Sequence, residues 1–201
     1  MSSKFTNNPT ILEIINNIPS GKRYSDVEDE DGNQYVDLVQ EGGGTLGIAL
    51  VGYTYVLEKA GIRFFSLAGT SAGAINTIMM AGLGEIKEPK SEKILDILSK
   101  KDLFDFVDGH PSVRGIINKA IKKEKGLIWT LIWNGRRIYR ILTKKLGLNP
   151  GNDFEEWVTG ELKKNNVNTL SDLKNLRKKL PKGMKNTQTG EEITEITAKL
   201  A

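Results

Sequence analysis

Two glycine clusters, each closing a short apolar run and opening a helical one, constrain this chain more than any other feature. The first, Glu41-Gly42-Gly43-Gly44-Thr45-Leu46-Gly47, follows YVDLVQ at residues 35–40. The second, Gly69-Thr70-Ser71-Ala72-Gly73, follows the apolar run IRFFSLA. Between them Gly47 to Ala60 carries apolar residues at 48, 50, 51, 56 and 57 and ends at Gly61, which predicts a helix with a glycine C-cap. Ala72 to Gly82 is apolar throughout and predicts a buried helix. Strand, helix, strand, helix with short joints implies a right-handed crossover and a parallel sheet covered by helices. Parallel strands deliver their C-terminal ends to one sheet edge, where ligands bind in open α/β folds, so both glycine clusters are expected there together.

Each cluster has its own chemistry. Gly69-x-Ser71-x-Gly73 fits a nucleophile elbow, a sharp strand-to-helix turn that pushes a serine hydroxyl out of the backbone. Gly42-x-Gly44-x-x-Gly47 matches the dinucleotide fingerprint, which needs an acidic residue at the end of the second strand for the ribose hydroxyls. No Asp or Glu lies between Arg63 and Gly84, and that reading leaves Ser71 without a purpose. Acyl transfer uses both clusters: a serine nucleophile, backbone N–H donors from Gly43, Gly44 and Thr45, and two helix N-termini turned to the same place. One such donor contributes on the order of 3 kcal/mol to an oxyanion, a strong reason for adjacent glycines.

A Ser-His-Asp triad is not supported. The single histidine, His110, sits between Gly109 and Pro111 in a helical stretch, where a surface turn is its expected role. A Ser-Asp dyad becomes the option of interest. One histidine excludes an all-histidine metal site, and the absence of cysteine excludes disulfide and thiol chemistry while fitting a reducing compartment. At 201 residues, 38% hydrophobic and 27% charged, the chain has room for one domain with a sizeable core. No apolar run approaches the roughly 20 residues of a membrane span, and the N-terminus carries no export signal. Pro9 to Ile18 has helical spacing, and residues 26–34 (DVEDEDGNQ) read as a solvated acidic turn. They fail as a calcium loop: with Gly32 sixth, Val27 and Leu38 fall where carboxylates are needed. From Ser91 to Leu148 only helical patterns are evident, TLSDLKNLRKKL predicts a capped helix, and the tail from Gly183 reads as loop and a short helix with no closing strand.

The pairing of VDLVQEGGGTLGIALVGYTYVLEKAGI with FFSLAGTSAGAINTIMMA resembles the N-terminal core of the patatin-like phospholipase family, and GLNPGNDFEEWV (residues 147–158) is similar to a segment that family carries after its helical insert. The resemblance covers most of residues 35–160. It implies a three-layer α/β/α sandwich with a parallel central sheet and a long helical insert, a Ser-Asp dyad, and metal- and cofactor-free hydrolysis of lipid or phospholipid acyl esters through an acyl-enzyme. By that resemblance Ser71 is the nucleophile, Gly42, Gly43, Gly44, Thr45 and Gly47 form the oxyanion loop, and Gly69 and Gly73 shape the elbow. The expected organisation is an N-terminal helix and acidic turn over 1–34 and an acyl hydrolase domain over 35–201, divided into the loop and elbow (35–84), helical insert (91–148) and helical continuation (149–201). A non-catalytic lipid- or membrane-binding module that keeps the elbow is the alternative.

Two departures qualify the resemblance. Leu46 stands where the family loop usually has Arg or Lys, which removes a contact to an anionic head group. The family's Asp sits in a D-G-G or D-G-A turn well downstream, whereas the only D-G pairs here are Asp31-Gly32 and Asp108-Gly109. The sheet is therefore expected to be incomplete, and the 201-residue chain alone is expected to be nearly inactive, with a parent chain continuing into the missing strands. Between Arg114 and Lys145, ten Lys or Arg and one acid, Glu124, interleave with Trp129, Trp133 and Tyr139. That composition fits a helix lying on an anionic membrane surface or a lid with a solvated basic face, and does not favour nucleic acid. The expected location is cytoplasmic, peripheral at a membrane.

Overall fold

A computed structural model of the chain describes residues 2–19, 21–43, 47–106 and 151–194. Its strands are β1 (Val27–Glu28), β2 (Gln34–Gln40), β3 (Ile62–Gly69) and β4 (Lys185–Asn186), ordered β3-β2-β1-β4 in one sheet. The helices are α1 (Ser2–Thr6), α2 (Pro9–Asn16), α3 (Ile48–Lys59), α4 (Ala72–Gly82), α5 (Ser91–Ser99), α6 (Asn152–Lys163) and α7 (Leu170–Arg177). The chain divides into two compact units, residues 1–100 with 161–201, and residues 101–160. The class is α/β, as expected.

β2 and β3 are the expected parallel pair, joined by α3 and paired from Gln34 opposite Ile62 to Gln40 opposite Gly69, with a one-residue register shift between Val36 and Leu38. β1 is antiparallel to both β2 and β4, so the sheet is mixed. β1 and β4 correct the sequence reading. Residues 26–34 are not wholly solvated: Val27–Glu28 is a strand, and Asp29 is buried. The tail, read as strandless, contributes β4, and Val27 pairs with Asn186. Residues Leu103–Phe106 form a 3-10 turn, and Phe106 packs on Phe154 and Trp157 with ring centroids 5.3 and 4.9 Å away. Residues 107–150, which hold His110, Asp108 and the basic stretch 114–145, lie outside the described residues, as do 195–201. Among the described residues no helix is long and apolar enough to cross a membrane.

Polar side chains tie the elements together where backbone groups lack partners. The Asp29 carboxylate accepts the N–H groups of Asp31 (3.0 Å) and Asn33 (2.8 Å) and the Tyr35 phenol (2.6 Å), closing the turn before β2. Burial pushes this carboxyl up, but the Tyr35, Asn33 and Asp31 donors together outweigh it and hold its pKa below the ordinary value. Glu58, buried near the end of α3, accepts the N–H groups of Lys90 (2.7 Å) and Ser91 (2.9 Å) and so caps α5 from another helix. The Ser91 hydroxyl donates to Thr54 Oγ1 at 2.8 Å in the same seam. α7 begins with a capping box between Thr169 and Asp172, as TLSDLKNL predicts.

Lys90 is buried, and its ammonium donates to the Glu85 carbonyl. Burial, reinforced by the Arg177 charge, lowers its pKa from 10.5 to about 8. Between about pH 8 and 10.5 the unfolded chain therefore holds a proton there that the folded chain has released, so this group's contribution to stability rises with pH across that window. We expect urea unfolding free energies to increase from pH 8 to 9.5, short of tyrosine ionisation, and the increase to vanish in Lys90→Met. A flat profile in the parent chain would contradict this assignment.

Candidate functional site

The end of the parallel pair is where backbone geometry becomes exceptional. β2 finishes at Gln40 and β3 at Gly69, opposite one another, and Thr70 N–H donates to the Gln40 carbonyl at 3.0 Å. The chain then turns directly into α4, with Ser71 as its N-cap at φ 52°, ψ −123°. Among the described residues only Ser71 and Asn166 are non-glycine residues with positive φ. Such a backbone costs a non-glycine residue about 1–3 kcal/mol and persists only where its surroundings enforce it. A serine at an N-cap ordinarily spends its hydroxyl on the first turn of the helix. Ser71 makes no such bond: its carbonyl accepts from Ala74 and Ile75, and its side chain is exposed.

The glycines explain what enforces the turn. A Cβ on Gly73 would stand 2.4 Å from the Gln40 carbonyl oxygen and 2.8 Å from that of Glu41, so α4 lies directly against the end of β2. A Cβ on Gly69 would meet the Gly73 carbonyl carbon at 2.5 Å, closing the elbow on itself. From the first cluster, a Cβ on Gly42 would stand 2.5 Å from Ser71 Cβ and 3.0 Å from Ser71 Oγ. A Cβ on Gly47 would stand 2.4 Å from Ala72 Cβ. The two clusters thus interlock, Gly42 against Ser71 and Gly47 against Ala72. Gly43 is exposed beside them, while Gly44, Thr45 and Leu46 lie outside the described residues.

Behind the elbow is a pair that the sequence reading missed. The Asn76 side-chain amide donates to Gln40 Oε1 at 2.8 Å, both residues buried, and links α4 to the last residue of β2. Among the described residues the buried side-chain atoms without a hydrogen-bond partner are Gln40 Nε2 and Asn76 Oδ1. Asn76 is a lone amide in the apolar helix AGAINTIMMAG, and that isolation is the signal that could have marked it.

Asp31 is not near this edge. It precedes β2, whereas Ser71 follows the other end of the pair, about 20 Å of strand away at roughly 3.3 Å per residue. Its carboxylate instead faces Lys87 at 3.9 Å.

Comparison with known proteins gives the same direction. The sequence matches a family model described as patatin-like phospholipase over residues 38–199. It is also 32% identical over 139 residues to the uncharacterized protein YqhO of Bacillus subtilis (strain 168). That alignment covers 69% of this chain and 40% of the Bacillus protein, so the chain spans less than half the length of that relative. No solved structure matches the chain.

Proposed function

Because the chain belongs to the patatin-like phospholipase family, we propose that it is a serine-dependent lipid acyl hydrolase with Ser71 as nucleophile. The observation that carries this reading is the Ser71 backbone, held at φ 52° with its hydroxyl diverted from capping and Gly42 packed against its side chain. In the proposed reaction Ser71 Oγ attacks the ester carbonyl of a lipid or phospholipid as its proton passes to an aspartate. The carbonyl oxygen becomes an oxyanion that accepts N–H groups from residues 42–47, with Gly43 and Gly44 as the donors. The N-termini of α3 and α4 favour the same negative charge. Collapse expels the alcohol, which leaves with the proton held by the aspartic acid, and an acyl ester remains on Ser71. Water, deprotonated by the same carboxylate, then releases the fatty acid and restores the serine. This chemistry calls on no cofactor.

Position argues against Asp31 as that aspartate, and Asp108 lies outside the described residues. Residues 35–201 are proposed as the hydrolase domain, preceded by 1–34. The basic stretch 114–145 would hold the protein at an anionic membrane surface from the cytoplasmic side.

A fluorophosphonate probe tests the nucleophile directly. Labelling that peptide mapping places on Ser71, and that Ser71→Ala removes, is the expected result. Labelling that persists in Ser71→Ala would take the role from this residue. No labelling of a longer chain that includes the dyad aspartate would favour the alternative, a lipid- or membrane-binding module that retains the elbow without the chemistry.

A further inference from the structure

A second feature begins at Ile48, the residue after the Gly47 that packs on Ala72. α1, α2, α3 and α5 enclose a cleft of about 650 Å³ whose walls include Phe5, Ile11, Ile48, Gly52, Val56 and Leu95. Among the described lining residues Tyr53 and Ser99 carry the side-chain polar atoms, and none of these residues is charged. The volume falls within the range of about 300–1,000 Å³ usual for small-molecule sites. A Cβ on Gly52 would stand 3.1 Å from the Phe5 ring, so this glycine lets α1 lie close against α3 and shape the floor. The rim is apolar as well: Ile48 is 48% and Tyr53 60% exposed. An uncharged, almost wholly hydrocarbon concavity with an exposed apolar rim does not suit a head group or a polar metabolite.

We infer that this cleft holds the aliphatic chain of the acyl ester. Continuity with the elbow favours that occupant over an unrelated apolar ligand. Ile48, a wall of the cleft, directly follows Gly47, which packs on Ala72, the residue after Ser71. An ester carbonyl at Ser71 would therefore have the cleft within reach of its acyl tail. Phe5 and Ile11 come from a segment that precedes the matched region 38–199, so the α1–α2 wall is built by residues outside the family match. The inference rests on the reading of Ser71 as nucleophile only for the identity of the ligand; binding itself is measurable without turnover.

The test is displacement of a fluorescent fatty acid from the Ser71→Ala chain by monomeric octanoate, decanoate and dodecanoate. Affinity is expected to rise about fourfold for each methylene that enters the cleft. Ala49→Trp, at an exposed position of the lining, is expected to weaken dodecanoate binding at least tenfold, and Tyr53→Asp to do the same by placing a charge there. Leu170→Trp, equally exposed on α7, should leave binding unchanged. Affinity independent of chain length would overturn the inference, as would binding undiminished in both folded variants or binding to phosphatidylcholine vesicles without binding of monomeric fatty acid. Fluorophosphonate labelling of the Ser71 chain is read separately. Labelling without chain-length dependence rejects the cleft alone, and chain-length dependence without labelling rejects the nucleophile alone.

Discussion

Gly73→Ala is expected to lower the unfolding free energy by about 2–3 kcal/mol, although alanine is the better helix former by about 1 kcal/mol. The two effects have opposite signs, which makes the substitution diagnostic. The added methyl would stand 2.4 Å from the Gln40 carbonyl oxygen, 2.8 Å from the Gln40 carbonyl carbon and 2.8 Å from the Glu41 carbonyl oxygen. All three atoms are main chain, so no rotamer change relieves the overlap. α4 would have to move away from β2, disturbing the Thr70–Gln40 backbone bond and the Asn76–Gln40 side-chain bond. Urea denaturation gives the free energy, and the same samples treated with fluorophosphonate should show Ser71 labelling lost. A variant as stable as its parent would mean that propensity outweighs crowding and that α4 has room to shift.

Gly42→Ala should act in the opposite way, on reactivity far more than on stability. Gly42 is exposed and does not occupy the left-handed backbone region, so alanine is compatible with its backbone. What the methyl meets is Ser71: 2.5 Å from Cβ and 3.0 Å from Oγ. The relief is a displaced serine or a displaced loop, and a misplacement of about 1 Å between reacting groups costs on the order of 10²-fold in rate. The expected result is a fall of about 10²-fold or more in the rate of Ser71 labelling, with stability changed by less than about 1 kcal/mol. Equal labelling rates in the two chains would show that the loop and the elbow do not share a site.

The two substitutions separate two duties of neighbouring glycines. Gly73 permits the fold of the edge, and Gly42 permits the serine to stand where it does. The sequence reading assigned Gly42 to a loop of backbone donors. The close approach of Gly42 to the Ser71 side chain adds a steric reason for glycine at the first position of that loop, independent of any donor role.

Much of the architecture was legible because it is local. The periodicity of Gly47 to Ala60, stopped by Gly61, predicts α3 to within a residue at each end, and Gly61 does adopt φ 79°. Ala72 to Gly82 and the runs that became β2 and β3 are equally plain, since apolar patterning and glycine punctuation are properties of neighbouring residues. The short strands were not legible. β1 and β4 are two residues each, too short for any periodicity, and they form because chain segments about 160 residues apart meet: Val27 with Asn186, and Glu28 with Lys185. Asp29 reads as solvent-facing in an acidic run, yet the Tyr35 phenol and two backbone amides make its burial favourable. Glu58 likewise carries no sign that it caps a helix more than thirty residues later.

The candidate site divides along the same line. Sequence by itself determined the chemical inventory, with Ser71 between Gly69 and Gly73, the earlier glycines, the apolar runs that bring both to strand ends, and the family to which the chain belongs. Only the tertiary structure decided which glycine meets which neighbour: Gly42 with Ser71, Gly47 with Ala72, Gly69 with Gly73, and Gly73 with Gln40. It also decided that Ser71 takes a backbone serine rarely adopts, and that α1 and α2 stand beside α3 to line an apolar cleft. The physical reason is that a glycine's freedom is written in its own residue type, whereas the atom its missing side chain would strike belongs to a distant part of the chain. That pairing exists only once parallel strands have set both segments on one edge.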